Sequence, residues 1–195
     1  MKTDIVLAGV GGQGILSISV VIGSAALSNN LHIKQSEVHG MSQRGGAVYA
    51  HLRISDKPIA SDLISLGKAD VVLSVEPMEA LRYLPYLKPE GWLVTNTNPF
   101  VNIANYPDRQ LLINQLNELQ NCLLIDADSV ASDCSSAKAS NMVMLGAASP
   151  FINMEIKELE NAIVSVFGTK GENIVAMNIR ALQAGYDVAV QKKSQ

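Results

Sequence analysis

The start of the chain constrains the fold most, because an apolar run, a glycine loop and a second apolar run follow one another directly. Residues 4–8 (Asp4-Ile5-Val6-Leu7-Ala8) read as a short strand buried on both faces. The loop Gly9-Val10-Gly11-Gly12-Gln13-Gly14 comes next. Residues 15–27 are apolar with interruptions at Ser17, Ser19 and Ser24, and end at Asn29-Asn30, which tolerate the left-handed backbone that stops a helix. Strand, glycine turn, helix is the opening unit of an α/β fold.

The rest of the chain repeats the alternation. A second strand falls within residues 31–38, followed by the polar loop His39-Gly40-Met41-Ser42-Gln43-Arg44-Gly45-Gly46. Residues 47–54 alternate with period two: Val48, Ala50, Leu52 and Ile54 face one way, and Tyr49, His51 and Arg53 face the other. That polar face should meet water or a partner chain. Residues 70–75 form a buried strand, and Glu76-Pro77 opens a helix carrying Met78, Leu81, Tyr83, Leu84 and Leu87. Lys88-Pro89-Glu90-Gly91 reads as a turn, residues 92–95 as a strand, 111–119 as a helix and 122–125 as a strand. Helices follow at 128–132, at 141–148, and around Ile156, Leu159, Ile163, Val166 and Phe167, the last with Asn153 as N-cap and Gly168 as stop. A final helix covers residues 172–190. Strands that alternate with helices imply a doubly wound, mostly parallel sheet with helices on both faces, Rossmann-like, and a helical C-terminal part. With no repeat and no linker, residues 1–195 should form a single domain.

Bulk properties exclude several classes. Apolar residues make up 48% of the 195 and charged residues 17%, a folded composition. A net charge of -3 gives no bulk attraction to nucleic acid or anionic membranes, so an anion must be caught locally. Residues 15–27 fall short of the ~20 needed to span a bilayer, and Asp4 stands where a secretory signal needs basic residues. A cytoplasmic location is expected. Cys122 and Cys134 are too few for an iron–sulfur cluster, and His32, His39 and His51 show no zinc-finger spacing.

Two loops carry the candidate chemistry. Gly9, Gly11 and Gly14 have the GxGxxG spacing, with Gly12 and Gln13 between them. In that pattern the first glycine makes the turn, the second admits a ligand to the backbone, and the third lets helix and strand pack closely. The helix start then offers free N–H groups to an anion. In the second loop, Gly45-Gly46 after Arg44 can form a concave run of N–H donors. Arg44 can fork onto a phosphate or carboxylate, and Ser42 and Gln43 add neutral donors. Both loops leave the carboxyl ends of strands and should face one crevice. The alternatives are a tight structural turn for the first loop and an ordered surface loop for the second. A nicotinamide site is disfavoured, because the only acid near the end of the second strand is Glu37, set among Lys34-Gln35-Ser36 and the polar loop. Glu76, Glu79, Asp126 and Asp128 read as helix-start carboxylates rather than catalysts. Asn141-Met142-Val143-Met144 reads as core.

Taken together, Gly9-Val10-Gly11-Gly12-Gln13-Gly14-Ile15 and Glu37-Val38-His39-Gly40-Met41-Ser42-Gln43-Arg44-Gly45-Gly46 resemble the gamma domain of the 2-oxoacid:ferredoxin oxidoreductases. Within that family these stretches are similar to the indolepyruvate-type branch. Ala69-Asp70-Val71-Val72-Leu73 with Glu76-Pro77, and Asn141-Met142 before Leu145-Gly146-Ala147, fit the same pattern, so the resemblance covers nearly the whole chain. It implies a role in oxidative decarboxylation of a 2-oxoacid, an aryl pyruvate by that likeness, to an acyl-coenzyme A. Thiamine diphosphate and iron–sulfur clusters would belong to a separate large subunit that passes electrons to ferredoxin. This chain would hold no cofactor alone and share coenzyme A with its partner. Gly9, Gly11, Gly12, Gln13, Gly14, Ser42, Gln43, Arg44 and Gly45 would contribute to that coenzyme A site or dock the large subunit. An exposed interface should let the isolated chain self-associate. A stand-alone nucleotide-binding module of Rossmann type, with no redox partner, is the competing expectation.

Overall fold

The computed structural model describes residues 1–39, 45–134 and 136–193. Six strands form one sheet in the order β2-β3-β1-β4-β5-β6. They are β1 (Lys2–Val10), β2 (His32–His39), β3 (Ala47–Ser55), β4 (Ala69–Ser74), β5 (Leu87–Asn96) and β6 (Cys122–Ile125). β1, β4, β5 and β6 pair in parallel, whereas β3 runs antiparallel to both β1 and β2. The second strand is therefore not a parallel neighbour of the first. It belongs to an antiparallel β2–β3 pair that forms one edge of the sheet.

The helices are α1 (Ile15–Ser28), α2 (Pro77–Tyr83), α3 (Arg109–Asn117), α4 (Ala127–Cys134), α5 (Ser140–Ala148), α6 (Ile156–Phe167) and α7 (Glu172–Lys193). Strand alternation sorts them onto two faces. Ile5, Leu7, Val48, Ala50, Leu52, Ile54, Val71 and Leu73 point into the larger core, against α1, α5, α6 and α7. Val6, Ala8, Val72 and Leu93 point into a smaller core closed by Ala80, Tyr83 and Leu116 of α2, its short 3₁₀ extension and α3. Among the described residues, no helix is long and apolar enough to cross a membrane.

Four local expectations are corrected. Tyr49, His51 and Arg53 do not face water. Tyr49 stacks near Tyr83, with ring centroids 4.7 Å apart. His51 is 4% exposed and meets Tyr86 edge-on at 5.1 Å. Arg53 is engaged by Asp4, Ser61 and Leu63. Leu84 and Leu87 lie beyond α2, because Pro85 lacks the N–H that an α-helix needs there and a 3₁₀ turn replaces it. Residues 88–91 lie within β5 as a bulged stretch: Ala69 pairs with Leu87 and Val71 with Trp92, so four residues oppose Asp70 alone. Lys88 Nζ fills that bulge by reaching Asp70 Oδ1 at 2.5 Å. Finally, the N-cap of α6 is Glu155, in a reciprocal capping box with Glu158. Asn153 instead adopts a left-handed backbone and donates to Thr3 Oγ1 at 3.1 Å.

His51 makes a pH-dependent contribution. Its Nδ1 accepts the Ile64 N–H at 3.0 Å, so the neutral ring fits the site. Burial lowers its pKa, Arg53 adds to this and Asp62 opposes it. A folded pKa below the unfolded value of about 6.5 gives stability that is complete above that value and lost as pH falls through the folded pKa. The melting temperature should therefore fall between about pH 7 and pH 5, more steeply in the native protein than in His51→Gln. Equal slopes would reject the assignment.

Candidate functional site

The carboxyl end of the parallel strands gathers the loops singled out in the sequence. Val10, at the end of β1, pairs with Ala47 at the start of β3, and His39, at the end of β2, pairs with Val48. The two turns are bonded to each other. Gly11 N–H donates to the Gly46 carbonyl at 2.9 Å, and Gly45 N–H donates to the Gly11 carbonyl at 3.5 Å. Gly40, Met41, Ser42, Gln43 and Arg44 lie outside the described residues, so the structure places Gly9, Gly11, Gly12, Gln13, Gly14 and Gly45 of the candidate set.

The glycines divide the work differently from the dinucleotide pattern. Gly9 is the close-packing position: a Cβ there would lie 2.4 Å from Val75 Cγ2. Gly12 and Gly14 make the turn, at φ +102° and +81°, where L-residues are strained. Gly14 is also the N-cap of α1, and Asn141 at the start of α5 donates to its carbonyl at 3.2 Å. Gln13 is engaged inside the protein. Its Oε1 accepts the Val10 N–H at 2.8 Å and its Nε2 reaches the Val75 carbonyl at 3.4 Å. That amide stitches the glycine loop to the end of β4.

The donors left over point outward. Among the described residues, no side chain caps α1, and its first turn carries no acidic residue. Among the described residues, the N–H groups of Gly12, Gly14, Ile15 and Leu16 have no acceptor. They border a cavity of about 270 Å³ lined by Val10, Gly11, Gly12, Gly14, Ile15, Leu16 and Val48. A helix start with free donors, positive dipole and no competing carboxylate is suited to an anion. Glu37 is not placed to hold a ribose beside this loop, because β3 separates β2 from β1.

The other half of the rim was not legible as a site. Segment 97–106, after β5, folds over the Gly45 turn, and Asn102 Nδ2 donates to the Gly45 carbonyl at 2.6 Å. Glu76, after β4, is wholly buried. Its Oε2 accepts the Glu79 N–H at 2.8 Å, the cap expected of it. Its Oε1 also accepts the Tyr106 hydroxyl and the Phe100 N–H, the latter at 3.4 Å. Burial, with the Glu76 hydrogen bond and charge, pushes the Tyr106 phenol well up, so it stays a donor. Burial also raises Glu79, opposed by Arg82, whose Nε lies 3.1 Å from Glu79 Oε2. Asp126 caps α4 through the Ser129 N–H at 3.0 Å, a bond that holds its carboxyl below the usual range. Asn98 joins Asp126 and Asp128 at 2.7 and 3.0 Å. Among the described residues, no cluster of three or more His, Cys, Asp or Glu is able to hold a metal ion. Cys122 and Cys134 are free and half-buried, and burial pushes the Cys122 thiol up to about 11.

Fold and rim define a class: a doubly wound α/β domain whose two glycine turns are bonded together at the carboxyl edge beside an uncapped helix start. Within it, the chain belongs to the pyruvate ferredoxin/flavodoxin oxidoreductase family, whose profile matches residues 4–188. It is 35% identical to the indolepyruvate oxidoreductase subunit IorB of Archaeoglobus fulgidus, over 97% of this chain and 96% of that one. It is 30% identical to the 2-oxoglutarate synthase subunit KorC of Methanocaldococcus jannaschii, over 97% and 95%. The keto/oxoacid ferredoxin oxidoreductase gamma subunit of Geobacter sulfurreducens shares the fold at TM-score 0.72 and 24% identity, over 97% and 99% of the two chains. The 2-oxoglutarate:ferredoxin oxidoreductase of Magnetococcus marinus, solved with 2-oxoglutarate, coenzyme A and succinyl-CoA bound, matches at TM-score 0.76 and 23% identity. That match covers 97% of this chain but only 31% of that longer one.

Proposed function

We propose that this chain is a gamma-type subunit, a single domain over residues 1–195, of a cytoplasmic 2-oxoacid:ferredoxin oxidoreductase acting on indolepyruvate or a related aryl pyruvate. The observation that supports it most is the end-to-end likeness to a subunit named for indolepyruvate oxidation. A large partner subunit carries thiamine diphosphate, which supplies the carbanion-stabilising chemistry of decarboxylation, and the iron–sulfur clusters that lead to ferredoxin. This chain contributes the rim. The free amides of Gly12, Gly14, Ile15 and Leu16 and the forked donors of Arg44 receive phosphate groups of coenzyme A. Ser42, Gln43 and Gly45 are assigned to the same site as neutral donors, while Gly9, Gly11 and Gln13 hold the first turn in shape.

A specific observation favours a second reading, in which the rim docks the large subunit. Leu16 and Val20 on α1, and Phe100, Val101 and Ile103 on the other side, are exposed apolar side chains around the same edge.

One experiment tests both readings and the whole assignment. The chain is co-expressed with a cysteine-rich large subunit bearing a thiamine motif, and viologen reduction is followed over a panel of 2-oxoacids. The complex should turn over with aryl pyruvates, and the isolated chain should not turn over at all. Failure to form a complex would favour a stand-alone nucleotide-binding module. Arg44→Ala should raise the KM for coenzyme A by about tenfold or more, the value of one charge-assisted contact, with the complex intact. Weakened assembly at unchanged KM would favour docking instead.

A further inference from the structure

Glu76 has more partners than a helix cap requires. It sits at the end of β4, is 0% exposed, and caps a helix of only seven residues. One carboxylate oxygen suffices for that cap. The other accepts two donors from the segment after β5: the Phe100 N–H and the Tyr106 hydroxyl. Residues 97–106 contain no helix or strand; Thr97 and Asn98 are held by Ile125, Asp126 and Asp128, and beyond Asn98 the two Glu76 bonds are a large share of what holds the segment among the described residues. A second anchor lies at its start, where Arg109 donates to the Thr97 carbonyl at 3.1 Å and to Asn98 Oδ1 at 3.0 Å. Among the described residues, the middle of the segment makes one polar contact with the rim. Asn102 Nδ2 reaches the Gly45 carbonyl at 2.6 Å, while its Oδ1 is buried without a partner among the described residues. Gly45, at φ +78°, is in turn bonded to Gly11.

We infer that Glu76 is a positioning residue for the rim. Its carboxylate clamps segment 97–106, and through Asn102 that strap holds the Gly45 turn against the Gly11 loop. The functional consequence rests on the reading of that rim as a coenzyme A site. The argument is one of connectivity and charge. A buried carboxylate with three donors has no other way to satisfy its lone pairs, so it gathers the strap as folding is completed. Glutamine cannot replace it. One of its two termini is an amide donor, which would face either the Glu79 N–H or the Phe100 N–H and leave that backbone donor without an acceptor, while the Tyr106 hydroxyl could turn to accept.

The test uses the co-expressed complex and three variants: Glu76→Gln, Tyr106→Phe and Asn102→Ala. Tyr106→Phe and Asn102→Ala sit on the strap and spare the core, so they remain informative if Glu76→Gln folds poorly. Amide hydrogen exchange is read on peptides covering residues 45–50 and 97–106, with β4 as internal control. All three variants should accelerate exchange at 45–50 and leave β4 unchanged. Glu76→Gln and Tyr106→Phe should also free 97–106. In the viologen assay the KM for coenzyme A should rise by about tenfold, with kcat and the KM for the 2-oxoacid within about twofold. Unchanged exchange at 45–50 in all three would overturn the clamp. Faster exchange there with an unchanged KM would uphold the clamp and reject the coenzyme A reading, so the two fail separately.

Discussion

Gly146→Ala is expected to cost on the order of 3 kcal/mol or more, well beyond an ordinary surface change. α5 is buried from Met142 to Ala148, between the sheet on one side and α7 on the other. At the crossing, each helix presents a glycine to the backbone of the other. A Cβ on Gly146 would lie 1.9 Å from the Leu182 carbonyl oxygen, and one on Gly185 would lie 1.9 Å from the Val143 carbonyl oxygen. Neither neighbour is a side chain that can rotate away. A methyl group therefore forces the two axes apart and opens gaps along both helices, losing contacts well beyond its own volume. For a chain of this length that corresponds to a fall in melting temperature of roughly 6–12 °C. Urea unfolding of Gly146→Ala, Gly185→Ala and the double variant measures it. The double variant should cost clearly less than the sum, because once the axes have separated the second methyl meets little. A Gly146→Ala protein that melts within about 2 °C of the native one would show that the crossing is not close-packed in solution.

Neither glycine announces this in the sequence. Gly146 was legible as part of an apolar stretch and of the family pattern, neither of which says what it meets, and the contact that requires it joins residues 146 and 182, far apart along the chain. Local signals fared better. The opening strand, the glycine loop and α1 were readable because burial on both faces leaves an unbroken apolar run, and because Gly12 and Gly14 need left-handed backbone. The alternation of residues 47–54 was also right, since Val48, Ala50, Leu52 and Ile54 all enter the larger core. Alternation tells which residues share a face. It does not tell what covers that face, or which strand pairs alongside. Residues 56–68, which engage His51 and Arg53 through Ser61, Leu63 and Ile64, have no period and so gave no signal. For the same reason the antiparallel insertion of β3 between β2 and β1 was invisible.

The rim shows the same division. The glycine turns carry a backbone requirement that residue type betrays. Their mutual bonds and the strap over them depend on strand order, which places the end of β5 beside the end of β1 only through β4. Glu76 was correctly legible as a cap, from its place before Pro77. Its second oxygen, which reaches Phe100 and Tyr106, was not, because those partners lie in a segment without pattern. A signal did exist for the shortened α2: Pro85 falls where a longer helix would need an N–H.

Arg53→Leu is the second change expected to have a large effect, about 3–5 kcal/mol, because it strands a buried charge. The Asp4 side chain is 1% exposed. Arg53 meets it with a fork, Nε at 2.8 Å from Oδ1 and Nη2 at 3.1 Å from Oδ2. Its remaining nitrogen, Nη1, donates to the Ser61 and Leu63 carbonyls at 3.0 Å each. One guanidinium thus pairs β3 with β1 and pins the segment that shields His51. With leucine in its place, Asp4 keeps, among the described residues, Lys2 as a largely exposed counter-ion at 2.8 Å, and two carbonyls lose their donor. Arg53→Lys should recover only part of the loss, since a single ammonium cannot span both the carboxylate and the two carbonyls. Asp4→Asn combined with Arg53→Leu should be more stable than Arg53→Leu alone, because the stranded charge is gone. Limited proteolysis adds a local readout: residues 56–63 should become cleavable in Arg53→Leu and stay protected in Asp4→Asn, where the Nη1 bonds survive. If Arg53→Leu unfolds at the native urea concentration, the pair contributes nothing, and the cover over His51 is held by packing and by the Ile64 N–H bond to His51 Nδ1.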